Sequence, residues 1–279
     1  MKLVHHHYGK AKVRVMKVTR GRTRHVLKEL EVSIMLQGDF EASYTRADNR
    51  LVVPTDTMKN TVYVLAQTRL GTENELFGVA LAEHFLQSYP QVSRVEIGLA
   101  ERGWDRLSFR GRPHPHAFIQ NTPARLTAKV VGSRSETSIE SGIEDLLLLK
   151  TTGSGFSGFH RDRYTTLAET EDRILATKLK ATWLHEKRPS SYARTNEKLL
   201  RAMLAVFANS FSPSVQVTLY QMGEAALKAA PGISGITLTL PNKHCLLVNL
   251  APFALENRNE IFVPTDEPHG QIEGTVSRK

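Results

Sequence analysis

An aromatic ring and a guanidinium seventeen residues apart, Phe156 and Arg173, bracket the polar stretch Gly155-Phe-Ser-Gly-Phe-His-Arg-Asp-Arg-Tyr-Thr-Thr-Leu-Ala-Glu-Thr-Glu-Asp-Arg173. Together they offer what a planar anionic heterocycle needs, one ring to lie on and one planar fork to bind its edge. Four further clusters carry chemistry. Tyr8-Gly9-Lys10 sets an ammonium just ahead of a strand. Thr55-Asp56-Thr57-Met58-Lys59-Asn60 follows Pro54 at the start of a helix, where free N–H groups and the helix dipole favour an anion or a polarised oxygen. Val215-Gln216 precedes a second helical pattern, and Asn242-Lys243-His244 closes a strand. Taken singly each has a plainer reading: a surface turn, a solvated lysine, a helix cap, a polar surface position, a turn with one histidine. Their order along one chain argues for a site.

Other chemistries find no footing. The chain has no Gly-rich phosphate loop, no Gly-x-Ser-x-Gly and no His-Glu-x-x-His. His5-His6-His7 and His114-Pro115-His116 lack a matching second ligand set, and Cys245 is the one cysteine, so no metal site and no internal disulfide are expected. A net charge of +9 favours anionic partners, but the basic residues are scattered singly and aromatics are only 7%, without an interleaved RNA-binding stripe. Nucleic-acid binding therefore stays a weaker alternative. No apolar run is long enough for a membrane span, and the first ten residues lack a signal-peptide core. The final Val276-Ser-Arg-Lys279 is not a Ser-Lys-Leu peroxisomal tail, so a cytoplasmic location is expected.

The elements that must hold these residues form a pattern read twice. Alternating Val13, Val15 and Val18, then Leu30, Val32, Ile34 and Leu36, predict a hairpin turning near Gly21. A helix capped near Thr55 or Asp56 and a second through Glu75–Leu86 follow, then strands around Val95–Leu99 and His116–Ile119. The second half predicts strands at Leu126–Val131, Gly142–Lys150 and Arg173–Trp183, helices at Asn196–Ala208 and Val217–Ala229, and a strand from Ile236. Pro90-Gln-Val-Ser-Arg-Val-Glu-Ile-Gly-Leu99 repeats as Pro231-Gly-Ile-Ser-Gly-Ile-Thr-Leu-Thr-Leu240, an offset of 141 residues that also sets Thr55 opposite Asn196. An α+β protein of tandem ββααββ units, 1–135 and 136–279, is expected. Its antiparallel sheets carry helices on one face and open edges, which pairing between copies would close into a barrel.

In order, the clusters resemble the urate oxidase (uricase) family. The likeness rests on Tyr8-Gly9-Lys10, Thr55-Asp56 with Lys59-Asn60, Glu75-Leu76-Phe77-Gly78, His114-Pro115-His116, Arg161-Asp162-x-Tyr164-Thr165-Thr166-Leu167-x-Glu169-Thr170, Val215-Gln216 and Asn242-Lys243-His244. The resemblance implies the tunnelling fold and a homotetramer with sites between subunits. It implies oxidation of urate by O2 to 5-hydroxyisourate and H2O2 without metal or organic cofactor. It gives Phe156 a stacking role, Arg173 a two-pronged contact with the urate anion, and Gln216 with the Val215 N–H the opposite edge. Thr55 of a neighbouring subunit and Asn242 would hold O2 or water over the ring, with the Asp56 N–H on the purine. Lys10 would be the general base, working through Thr55 in a relay that includes His244, which requires that its amine be made less basic than usual. Ser157 and Glu171 depart from the family pattern at positions given no role. A zinc-using pterin or purine hydrolase of the same fold is the other enzyme alternative, disfavoured by the single cysteine.

Overall fold

The computed structural model describes residues 1–120 and 122–278. Two compact units emerge: Met1–Ile143 with Leu184–Arg194, and Glu144–Trp183 with Thr195–Lys279.

In the first unit β1 (Tyr8–Arg20) and β2 (His25–Gly38) form the expected hairpin, with Tyr8 opposite Leu36 and Arg20 opposite His25. The alternation Leu30, Val32, Ile34, Leu36 is fully buried, as period-two patterning requires. A short helix α1 (Glu41–Thr45), not anticipated, precedes α2 (Thr55–Arg69) and α3 (Asn74–Ser88). Next comes β3 (Val92–Arg102), antiparallel to β2. Here expectation and structure part. The strand expected at His116–Ile119 belongs to a separate ribbon of β4 (Asp105–Phe109) and β5 (Arg112–Ile119). Pro113 and Pro115 lack the N–H groups a central ladder needs. The sheet neighbour of β3 is instead β6 (Arg125–Ser133), with Arg94 opposite Ser133, so the strand at Leu126–Val131 pairs within the first half, inside the expected 1–135, rather than opening the second. Gly78 lets α3 sit directly on this sheet: a Cβ there would lie 2.7 Å from Val130 Cγ2 and 2.9 Å from Leu99 Cδ1.

Two strands run through both units, β7 (Thr137–Lys150) and β8 (Leu175–His185). β8 starts at Leu175 rather than Arg173, because the Arg173 N–H is committed to the Ser154 carbonyl at 2.7 Å. The second unit continues with α4 (Tyr192–Asn209) and α5 (Val215–Ala229), then β9 (Ile233–Thr239), β10 (Asn242–Lys243), a small ribbon of β11 (Cys245–Leu247) with β12 (Phe262–Pro264), and β13 (Glu273–Ser277). β9 lies between β8 and β13 in strand order, and β10 also pairs β8. The 141-residue offset holds at α3 and α5, which start and end in step, and at the starts of β3 and β9. It slips at the first helix of each pair: Thr55 opens α2, whereas Asn196 lies inside α4 and accepts a hydrogen bond from Trp183 Nε1 at 3.1 Å.

Candidate active site

The loop between β7 and β8 folds back on itself. Phe156 and Thr170 exchange backbone hydrogen bonds of 2.7 and 3.0 Å, and Gly155 N–H donates to Ser212 O at 2.9 Å. Asp162 knots the tip by accepting from Tyr164 N–H and Thr165 Oγ1, bonds that hold its carboxylate below the usual range. Closure of this loop brings the ring and the fork together, with Arg173 Cζ 5.3 Å from the centre of the Phe156 ring. The Arg173 Nε is buried with no hydrogen-bond partner among the described residues, and burial pushes the guanidinium pKa down. Phe159 stacks parallel on Phe156, centroids 4.9 Å apart.

On the same unit Ser214 caps α5 by accepting from Val217 N–H at 3.2 Å. The first turn's remaining N–H groups, those of Val215 and Gln216, lie ahead of the helical ladder, which begins with Thr218 N–H donating to Ser214 O. Gln216 itself is exposed. Asn242 stands opposite Thr177 on the β10–β8 pair, and its N–H donates to Gly270 O at 2.7 Å. His244 follows in the turn to β11, exposed, its carbonyl accepting from Thr265 N–H at 2.8 Å.

The first unit carries Lys10, Thr55 and Asp56. Tyr8 is the link. Its hydroxyl accepts from Val53 N–H at 2.7 Å and donates to Val53 O at 3.1 Å, while its ring meets Phe40 edge-on. This tether joins the strand that carries Lys10 to the segment that leads into Thr55. Gly9 permits it: a Cβ there would fall 1.7 Å from Ile34 O, and a bulge follows between Lys10 and Val13. The expected cap at Thr55 or Asp56 is absent, since Pro54 occupies the N-cap and Thr55 is the first helical residue. Asp56 instead turns back onto Lys59, and onto Asn60 Nδ2 at 2.9 Å. Lys59, with a smaller contribution from the Lys10 charge, lowers the Asp56 pKa. The helical ladder begins with Met58 N–H donating to Pro54 O, so the N–H groups of Thr55, Asp56 and Thr57 stay outside it.

A uricase family model matches residues 6–131 and 139–273. The uricase of Arthrobacter globiformis is 43% identical, the match covering 98% of this chain and 88% of that one. The chain belongs to the uricase family. An Arabidopsis thaliana uricase is 40% identical over 97% of this chain and 94% of that one. The crystal structure of the Arthrobacter globiformis uricase superposes with a TM-score of 0.94 at 42% identity, covering 100% of this chain and 96% of that one. A Bacillus fastidious uricase structure, at 24% identity and a TM-score of 0.83, shares the fold.

Within this family member the nine residues singled out from sequence divide cleanly. Lys10, Thr55 and Asp56 lie in the first unit; Phe156, Arg173, Val215, Gln216, Asn242 and His244 lie in the second. Among the described residues no group of three or more His, Cys, Asp or Glu side chains is placed to hold a metal ion, and no helix is long and apolar enough to cross a membrane. Sequence reasoning missed the Tyr8 tether, which had a signal in its place beside Lys10. It also missed two fully buried hydroxyls beside the loop, Ser154 and Thr177, each without a hydrogen-bond partner among the described residues. A third omission is a buried chain in the first unit. Ser141 Oγ donates to Glu75 and takes the His185 Nε2–H at 2.8 Å, with Tyr192 packed edge-on at 4.9 Å from the His185 ring.

Proposed function

We propose that this protein oxidises urate with O2 and water to 5-hydroxyisourate and H2O2. The observation that carries the reading is Arg173: a half-buried guanidinium set beside an aromatic ring, its Nε without a hydrogen-bond partner among the described residues, suits the edge of a planar anion. Phe156 supports the purine face, Arg173 binds one edge through paired N–H donors, and Gln216 with the Val215 N–H binds the other. These donors stabilise the anion over neutral urate. Lys10, acting through the Thr55 hydroxyl and His244, takes up the remaining proton. The Asp56 N–H contacts the purine, and Thr55 with Asn242 holds O2, then water, over the ring. The electron-rich anion passes two electrons to O2, giving peroxide, and water adds to the oxidised purine. The residues thus supply deprotonation, alignment and water placement, and no cofactor enters.

The two ββααββ units are read as tunnelling-fold units, working in a homotetramer in the cytoplasm. β1 and β13 each stand at an end of the strand order with an edge unpaired among the described residues, and a second copy would close such edges into a barrel. In this arrangement Lys10 and Thr55 of one subunit face the Phe156–Arg173 pocket of the next. The test follows urate absorbance and H2O2 in the presence of EDTA. Turnover that EDTA leaves intact supports the reading. No turnover from folded protein refutes urate oxidation, and EDTA-sensitive turnover refutes the cofactor-free mechanism.

A further inference from the structure

Thr177 lies on the buried side of β8, in step with Leu175 and Leu179, while Lys178 and Lys180 alternate to solvent. It is 0% exposed, yet its Oγ1 has no hydrogen-bond partner among the described residues. If packing were all this position did, valine would fill the same space without an orphaned hydroxyl. The strand register names the neighbour. Thr177 stands directly opposite Asn242 in an antiparallel pair, and such residues project from the same face with Cβ atoms about 5 Å apart. Four residues earlier, Arg173 carries a second group with no hydrogen-bond partner among the described residues, its Nε. The hydroxyl is thus held beside the residue that faces oxygen in the proposed reaction.

We propose that Thr177 is a positioning residue for urate oxidation: with the site occupied, its hydroxyl hydrogen-bonds the Asn242 carboxamide and fixes the angle at which that group meets the reacting oxygen. Thr177 touches neither purine nor O2. It acts through Asn242, and the inference rests on the functional reading above. A side chain freed by a fraction of an ångström at a reacting centre costs rate, not substrate affinity.

The experiment is a set of initial-rate measurements on the full-length protein with urate, comparing wild type, Thr177→Val, Thr177→Ser, Asn242→Ala and the Thr177→Val/Asn242→Ala pair. Thr177→Val is expected to lower kcat about tenfold with KM for urate unchanged, as misplacement of a reacting group would. Thr177→Ser, which restores the hydroxyl, is expected to keep the wild-type kcat. The double variant is expected to be no slower than Asn242→Ala alone, the signature of one residue acting through the other. Thr177→Val at the wild-type kcat overturns the inference alone, as does Thr177→Ser falling as far as valine, or additive losses in the double variant. Failure of the wild type to turn over urate overturns the functional reading and this inference with it.

Discussion

Arg173→Met separates binding from folding more sharply than any other single change. Methionine keeps an unbranched, apolar stem beside Phe156 and removes both the charge and the N–H fork. Each charge-assisted hydrogen bond to a bound anion is worth about 1.5–3 kcal/mol. Losing two, with some replacement by water, costs about 3–4 kcal/mol, or roughly 100- to 1000-fold in affinity at about 1.4 kcal/mol per decade. The fold loses nothing comparable. The Arg173 Nε has no hydrogen-bond partner among the described residues, and burial already disfavours the charge. The melting temperature should therefore hold or rise slightly. The assay pairs an anaerobic urate titration with initial rates in air and a thermal melt. The expected result is a large rise in Kd and KM, a smaller change in kcat and an unmoved Tm. Affinity within about threefold of wild type would show that the guanidinium does not bind urate. A fall in Tm beyond about 5 °C would show that Arg173 holds the fold together, and the reasoning from its unpaired nitrogen would fail.

Lys10→Met and Thr55→Ala should each lower kcat about a hundredfold or more, the scale of a lost general base, with KM little changed in steady-state rates. An unchanged kcat in Lys10→Met would end the proton relay. Acid should destabilise the first unit through His185, whose pKa burial lowers against an opposing pull from the Glu75 charge. The unfolded chain then takes up the proton first, so stability is present above the ordinary histidine range near about 6.5 and is lost as pH falls below it toward the folded value. His185→Gln keeps a donor for Ser141 and should flatten the melting temperature between about pH 7 and about pH 5. A variant with the wild-type acid slope would assign that slope to other groups.

Much of this was legible in the sequence because the determinants are local. Period-two apolarity set β1 and β2, and the shared Pro and Ser of the repeat located β3 and β9, whose starts keep the 141-residue offset. What failed depended on partners distant in sequence. Alternation reveals a strand but not which strand it pairs, so β6 looked like the opening of a second half until its register with β3 was seen. The Pro-bearing β5 looked like a sheet strand for the same reason. The cap at Thr55 was misplaced because Pro54 suits either the N-cap or the position before it. The ring-and-fork pair was visible as residue types. That the loop closes to put Arg173 over Phe156 depends on backbone bonds from Phe156 to Thr170 and from Arg173 to Ser154, which no spacing rule supplies. His185 and Ser141 carried no motif at all. Their link to Glu75 joins three elements far apart in the chain.

Buried polar atoms without partners are uncommon, and their placement is informative. In the second unit those of Ser154, Arg173 and Thr177, each without a partner among the described residues, lie along the loop into β8 and at the start of that strand. Alanine, methionine and valine would fit these three positions at lower cost to the free protein, since none would bury an unmet donor or acceptor. The stabilisation forgone there is recoverable only when something polar fills the space. Arg173 is the one charged member of the set, so on the proposed reading most of the recovered free energy returns through its contact with the urate anion. Lys10 and Thr55 differ in kind. Their surroundings are tied down by the Tyr8–Val53 bonds within the chain itself. Affinity should therefore trade against stability at Arg173, whereas rate should depend on the prearranged geometry around Lys10 and Thr55.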